Sequence, residues 1–206
     1  MRILPSGSTA LLVELADLEE VLGLYAALAA DVPTGVVDIV PAARTLLLVT
    51  DPAATSLSSV EEAVRATEPR ADLGGWGDLV EIPVTYDGED LEEAATLLDC
   101  DAAELVRRHT GTEWTVAFCG FIPGFGYLTS PDWAFEMPRR SSPRKKVPPG
   151  SVALAGEFGG VYPRESPGGW QLIGRTALTM FDPARDAAAI LRPGVRIRFV
   201  DEDAPS

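Results

Sequence analysis

Five cations fall within eight residues of an otherwise acidic chain: Arg139, Arg140, Arg144, Lys145 and Lys146. Arginine forks bind carboxylates and phosphates in a bidentate way, and lysine adds a point charge. The chain has 206 residues and a net charge of −14. Residues 1–137 hold 6 basic against 24 acidic side chains (net −18), whereas residues 138–206 hold 11 against 7 (net +4). A local cationic patch on such a background suits a small anionic ligand or an acidic partner face; the plainer reading is a solvated loop. The overall balance argues against broad nucleic-acid binding or attraction to anionic membranes.

Two further segments are dense in Gly, Pro and aromatic residues. Cys119–Leu128 (CGFIPGFGYL) places Phe121, Pro123, Phe125 and Tyr127 on a path dictated by three glycines and a proline. Aromatic side chains on such a loop are either plugs of the core or the wall of a pocket or partner surface. Ala155–Thr176 contains Gly159-Gly160 and Gly168-Gly169, with Tyr162, Trp170 and Arg175 between and after them. Paired glycines can offer backbone N–H groups to an anion, but no helix pattern follows either pair, and turn formation is the ordinary explanation. The sole histidine, His109, is either a titrating base or the cationic partner of a helix C-terminus. Cys119 reads as a buried thiol rather than a nucleophile. There is no GxSxG, HExxH, GxxxxGK[ST] or GxGxxG pattern. Two cysteines without a CxxC and one histidine leave no metal site to expect.

The elements that must carry these residues fall into two parts. Residues 1–74 read as a small α+β domain: a strand at Ser8–Leu15, a helix over Leu18–Ala30 capped by Asp17, strands at Val36–Val40 and Arg44–Thr50, and a helix near Val60–Thr67 opened by Ser58 or Ser59. That β-α-β-β-α order predicts two helices on one face of an antiparallel sheet. Pro69–Asp78 reads as a boundary, with Trp76 packing the two parts together. Residues 75–206 open with a strand at Leu79–Tyr86, whose central Pro83 predicts an edge position. Helices follow at Leu91–Leu98 and Asp101–His109, the second with capping-box spacing between Asp101 and Glu104. The texture then changes: 11 of 17 prolines lie after residue 120 and 11 of 19 glycines after residue 119. Short β-prone runs at Thr115–Cys119, Ser151–Ala155, Trp170–Ile173 and Val195–Val200 predict a barrel or sandwich of short strands. No apolar stretch is long enough to span a bilayer, and the N-terminus does not read as a secretory signal, so a cytoplasmic location with reduced thiols is expected.

Three motifs in order carry a resemblance: GFIPGFGYL (120–128), PRRSSPRKKVPPGSVALAG (138–156) and VYPRESPGGWQLIGRT followed by FDPARD and ILRPG (161–194). Together they resemble the family of 5-oxoprolinase B-type subunits, also labelled allophanate hydrolase subunit 1, which includes an inhibitor of a sporulation histidine kinase. The resemblance is strong over about residues 75–200. It implies a small α+β domain followed by a cyclophilin-like β-barrel related to carboxyltransferase subdomains C and D. It also implies a companion resembling allophanate hydrolase subunit 2 (the C-type subunit of 5-oxoprolinase), and a third subunit with which the two form an ATP-dependent 5-oxoprolinase.

The implied reaction opens a lactam that bears a carboxylate, so it needs cations for a carboxylate and a phosphate, and a general base. The resemblance assigns substrate binding to Arg139, Arg140, Arg144 and Arg175, and the base to His109, which stands about ten residues before the GFIPGFGYL motif. Phe121, Pro123, Phe125, Tyr127, Tyr162 and Trp170 are expected to wall a pocket or a partner surface. ATP is expected in the assembled complex only, with no metal site in this chain, no activity of the chain alone, and neither nucleic acid nor membrane as partner. Where the family often reads Gly-x-Gln-Thr-Gly, this chain has Gly156-Glu157-Phe158-Gly159-Gly160 and lacks that hydroxyl and amide. The rival expectation is a regulatory module that inhibits a sensor histidine kinase.

Overall fold

Alternating apolar residues build the first layer. A computed structural model describes residues 1–70 and 77–204 and divides the chain into two units, Met1–Gly74 and Gly75–Ser206. Trp76 lies outside the described residues. In the first unit, β1 (Arg2–Pro5), β2 (Ala10–Glu14), α1 (Leu18–Ala30), β3 (Val36–Pro41), β4 (Thr45–Thr50) and α2 (Leu57–Ala66) follow in order. The sheet is antiparallel in the order β1-β2-β4-β3. Leu11, Val13, Leu46 and Leu48 point to one face at period two, and Val21, Leu24 and Leu28 of α1 with Val60 and Val64 of α2 close the core on that face. Asp17 caps α1 through the Glu20 N–H at 2.9 Å. α2 starts earlier than its sequence predicts, because Ser56, and neither Ser58 nor Ser59, is its N-cap and accepts from the Ser59 N–H. Strand β1 escaped sequence reading: four residues are too few for a pattern, and its partner lies across a turn.

The second unit comprises β5 (Leu79–Val84), α3 (Leu91–Leu97), α4 (Ala102–Gly111), β6 (Glu113–Cys119), β7 (Gly126–Thr129), β8 (Arg144–Val147), β9 (Ser151–Ala155), β10 (Phe158–Val161), β11 (Ser166–Gly168), β12 (Gln171–Arg175) and β13 (Arg196–Asp201). Seven of these strands form one sheet in the order β12-β9-β10-β7-β6-β13-β5, and β8 pairs with β11 in a separate ribbon. Only the β5–β13 pair within this sheet is parallel. Pro83 sits in the terminal strand of that order, as its missing N–H requires. The strand is not a free edge, however: Thr85 and Arg175 exchange two backbone hydrogen bonds of 2.9 Å, joining the end of β5 to β12 and nearly closing the barrel.

The barrel interior is filled by Ile82, Val84, Trp114, Val116, Leu128, Val152, Leu154, Val161, Ile173, Ile197 and Phe199, with Ala94, Ala95 and Leu105 of the two helices packed against the wall. A second cluster of Phe125, Val147, Ala153, Ala155, Tyr162, Trp170 and Leu172 covers the other face of β9. Strand β9 is therefore buried on both faces, the physical reason SVALA reads as an unbroken small apolar run. Asp101 caps α4 through the Glu104 N–H at 2.7 Å. The return half of the predicted capping box is replaced, because the Glu104 carboxylate takes Arg107 and Arg108 instead.

Candidate functional site

The basic segment is not a loose loop. Arg144–Val147 is strand β8, paired with β11, and the preceding residues are drawn in by a buried carboxylate. Asp90, 2% exposed at the start of α3, makes no capping bond to its own helix. Its Oδ1 accepts from Arg144 Nη2 at 2.8 Å and from Arg140 Nη1, and its Oδ2 accepts from the Leu172 N–H at 2.8 Å. Glu89 adds a second carboxylate to Arg144 at 3.1 Å. Burial alone would raise the Asp90 carboxyl, but the Arg144 hydrogen bond, the Leu172 N–H and the two guanidinium charges together hold it below the usual carboxylate range.

Two of the cations expected to bind substrate thus have internal partners. Arg175 has another, Asp87, at 2.9 Å on the exposed surface. Arg139 is exposed and forms no ion pair among the described residues. Its neighbourhood is set by backbone: the Arg140 N–H donates to the Gly169 carbonyl at 2.8 Å, and Gly168 lies directly against the Tyr162 hydroxyl. Burial pushes the Tyr162 phenol up to about 12, partly offset by the charges of Arg139 and Arg144 and by a hydrogen bond from the Trp170 backbone.

Beside these cations stands a layer of rings. Phe125 meets Tyr162 and Trp170 edge-on, each at 5.3 Å between centroids, and Tyr127 meets Trp170 at 5.6 Å. Phe125, Tyr162 and Trp170 are buried, so they act as core plugs, while Tyr127 is half-buried. The Gly159-Gly160 pair is not a turn. A Cβ on Gly160 would lie 2.9 Å from Phe125, and one on Gly159 would lie 3.3 Å from Trp114, so this strand is stripped to backbone to admit rings on both faces.

Phe121 alone of these rings stands out, 55% exposed, with its edge 5.6 Å from Phe125 and 6.4 Å from Tyr162 between centroids. Its φ is +66°, a left-handed conformation that a bulky residue adopts at a cost of order 1–3 kcal/mol. The turn is held by the Gly120 N–H donating to the Phe125 carbonyl and the Phe125 N–H to the Ile122 carbonyl. Pro123 is exposed at its tip.

His109 is elsewhere. It is fully buried at the end of α4, stacked on Phe199 at 4.3 Å and flanked by Trp114 and Trp133. Its Nδ1 lies 2.7 Å from the Tyr86 hydroxyl, and its backbone carbonyl accepts from Trp114 Nε1. Burial pushes the imidazole down to about 3, so the ring is neutral at physiological pH. The expectation of a base reaching substrate from this position is corrected accordingly: a side chain with no exposed surface and walled by rings is a core residue. Cys119 is half-buried, burial pushes its thiol up to about 11, and both cysteines are unpaired. Two open grooves of about 340 and 490 Å³ flank Trp133 and Phe135, and neither is lined by the arginines of the basic segment or by the Phe121 turn.

The sequence pattern of the carboxyltransferase domain, subdomain C and D, matches residues 1–191. The chain belongs to this family. Among relatives of the carboxyltransferase C/D chain, the B-type subunit of 5-oxoprolinase from Escherichia coli O157:H7 is 40% identical over 176 residues, covering 84% of this chain and 80% of the relative. Its counterpart of the same name from Bacillus subtilis (strain 168) is 46% identical over 125 residues, covering 59% of this chain and 52% of the relative. The crystal structure of TTHA0988 superposes with a TM-score of 0.76 at 35% identity, covering 95% of this chain and 40% of that one.

In this carboxyltransferase C/D chain, sequence reading missed Asp90 altogether. Its setting, an acid before an apolar helix start, reads as an ordinary N-cap, and no local signal reveals arginines 50 and 54 residues away. Gln171 was missed as well: it is 1% exposed and its Nε2 donates to the Pro138 carbonyl at 3.3 Å, tying the start of the basic segment to β12.

Proposed function

We propose that this chain is the B-type subunit of a heteromeric 5-oxoprolinase. It would act with a companion resembling allophanate hydrolase subunit 2 and with a third subunit, and open 5-oxoproline to glutamate with ATP as co-substrate. The observation that carries this reading is the identity of 39–46% to relatives that are all named as the B-type subunit of 5-oxoprolinase. In the reaction, ATP phosphorylates the amide oxygen, water adds to the activated carbon, the ring C–N bond breaks, and ADP and phosphate leave.

This chain's part in that chemistry is electrostatic and architectural. Arg139, without an ion pair among the described residues and acting on Tyr162 of the ring layer, is the cation best placed to take a carboxylate or phosphate oxygen. Arg140 and Arg144 form its support, and Arg175 stays with Asp87. Phe121 supplies an exposed apolar anchor for the companion subunit, a use that accounts for a bulky side chain held outward on a strained backbone. The general base is assigned to a partner subunit, since His109 has no exposed surface from which to reach a substrate and its lowered pKa makes it a weak proton acceptor.

The test is co-expression with the companion and third subunits, followed by assays of ATP hydrolysis with 5-oxoproline, allophanate and urea. The expected result is ADP and glutamate from 5-oxoproline in the complex and no turnover by this chain alone. Turnover by the isolated chain, or an assembled complex inert toward 5-oxoproline, overturns the reading.

A further inference from the structure

We propose that Asp90 is a positioning residue: by clamping Arg140 and Arg144 it holds the 138–147 segment on the path that brings the Arg139 charge to bear on Tyr162. This rests on the reading of Arg139 as the substrate cation. Four observations carry it. Asp90 is buried, yet it leaves its own helix uncapped and commits both carboxylate oxygens to distant groups. Those groups are the two arginines that bracket the turn at 141–143, and the Leu172 N–H of the neighbouring barrel strand. The clamped segment is held to the barrel at two more points, through Pro138 to Gln171 and through the Arg140 N–H to Gly169. Arg139 lies between those two points, and among the described residues no carboxylate pairs with it.

The charges explain why the clamp and the ligand cation are different residues. Arg140 and Arg144 face Asp90, Glu89 and, at 3.8 Å, Glu93, so the cluster carries at least as much negative as positive charge. An anionic ligand gains little from cations already compensated at contact distance. Arg139, one residue along and facing solvent, keeps its full charge for that purpose. A rigid support matters because a cation shifted by about 1 Å loses much of its advantage in orienting a reacting group.

The experiment uses Asp90→Asn, Arg139→Ala and the double variant in the assembled complex, with amide hydrogen exchange on the isolated full chain. Each single substitution is expected to raise KM for 5-oxoproline by at least 10-fold with a smaller change in kcat. The double variant is expected to be no worse than Arg139→Ala alone, because Asp90 acts through Arg139. Exchange at Arg140 and along β8 is expected to accelerate at least 10-fold in Asp90→Asn while β6 and β9 stay protected. Independent, multiplying effects on KM, an unchanged KM with a lowered Tm, or uniform acceleration across the barrel would each overturn the proposal. If Asp90→Asn does not fold, Arg140→Met replaces it: this removes one clamped cation while Arg144 still pairs the carboxylate, and the same local exchange pattern is required. A wild-type complex inert toward 5-oxoproline defeats the functional reading alone, and the exchange pattern still decides the clamp.

Discussion

Asp90 and His109 are both buried ionisable groups of the barrel unit, and the fold accommodates them in opposite ways. Asp90 keeps its charge because two guanidiniums and a backbone N–H meet it. His109 loses its charge because rings surround it and its one described polar partner on the imidazole is the Tyr86 hydroxyl. Charge buried with partners can organise a distant segment, here the basic stretch; charge buried without them is extinguished, and the side chain becomes part of the packing. The difference separates a polar centre that can support a site from one that cannot.

The largest effect is expected from breaking the first case. Asp90→Ala leaves Arg140 and Arg144, 29% and 16% exposed, without their shared carboxylate, at a cost of about 3 kcal/mol. Chemical denaturation of the chain measures this, and a loss under about 1 kcal/mol would show that Glu89 and Glu93 suffice as partners.

The second case makes a prediction about pH. With the folded pKa of His109 near 3 and the unfolded value near 6.5, the unfolded state binds the extra proton throughout that window. Stability is therefore full above about pH 6.5 and falls as the medium becomes more acidic, by about 2 kcal/mol between pH 6.5 and pH 5. Asp90 acts in the same direction but lower: with its folded pKa depressed, its contribution is full above the usual carboxylate range and is lost as the pH falls through that range toward the folded value. As His109 is the chain's sole histidine, His109→Phe should flatten the slope between pH 6.5 and 5 in thermal melts. An unaltered slope would place the titrating group elsewhere.

Overpacking tests the ring layer. Gly160→Ala drives a methyl to 2.9 Å from Phe125 and 3.1 Å from Trp170, and should cost about 1–3 kcal/mol. A melting curve identical to that of the unaltered chain would mean that the rings can yield.

The smallest change in stability is expected at Phe121. Phe121→Gly relieves a positive φ while giving up ring-edge contacts and adding unfolded-state entropy, so the net change should stay within about 1 kcal/mol. Assembly with the companion subunit should nevertheless weaken at least 10-fold in a titration. Undiminished assembly would remove Phe121 from the interface.

Period and punctuation were enough, in the sequence alone, to determine α1, both strands of the Val36–Thr50 stretch, the two short helices and the change to short strands beyond residue 112. Those features depend on neighbours within a few residues: Asp17 before its helix, apolar residues at spacing three and four, Gly and Pro between runs. The ordered motifs from 120 to 194 likewise carried the family resemblance without any geometry. Tertiary structure decided what those residues do. The barrel's closure rests on Thr85 and Arg175, 90 residues apart; the glycine pair at 159–160 makes room for rings contributed by Trp114, Phe125 and Trp170; and the arginines of the basic segment divide, among the described residues, into those that clamp a carboxylate about 50 residues earlier and one that does not. Burial decided His109 in the same way. A histidine beside a helix end has the same local sequence whether it faces water or a wall of rings, and only the packing of β6, β13 and Trp133 around it lowers its pKa and withdraws it from chemistry.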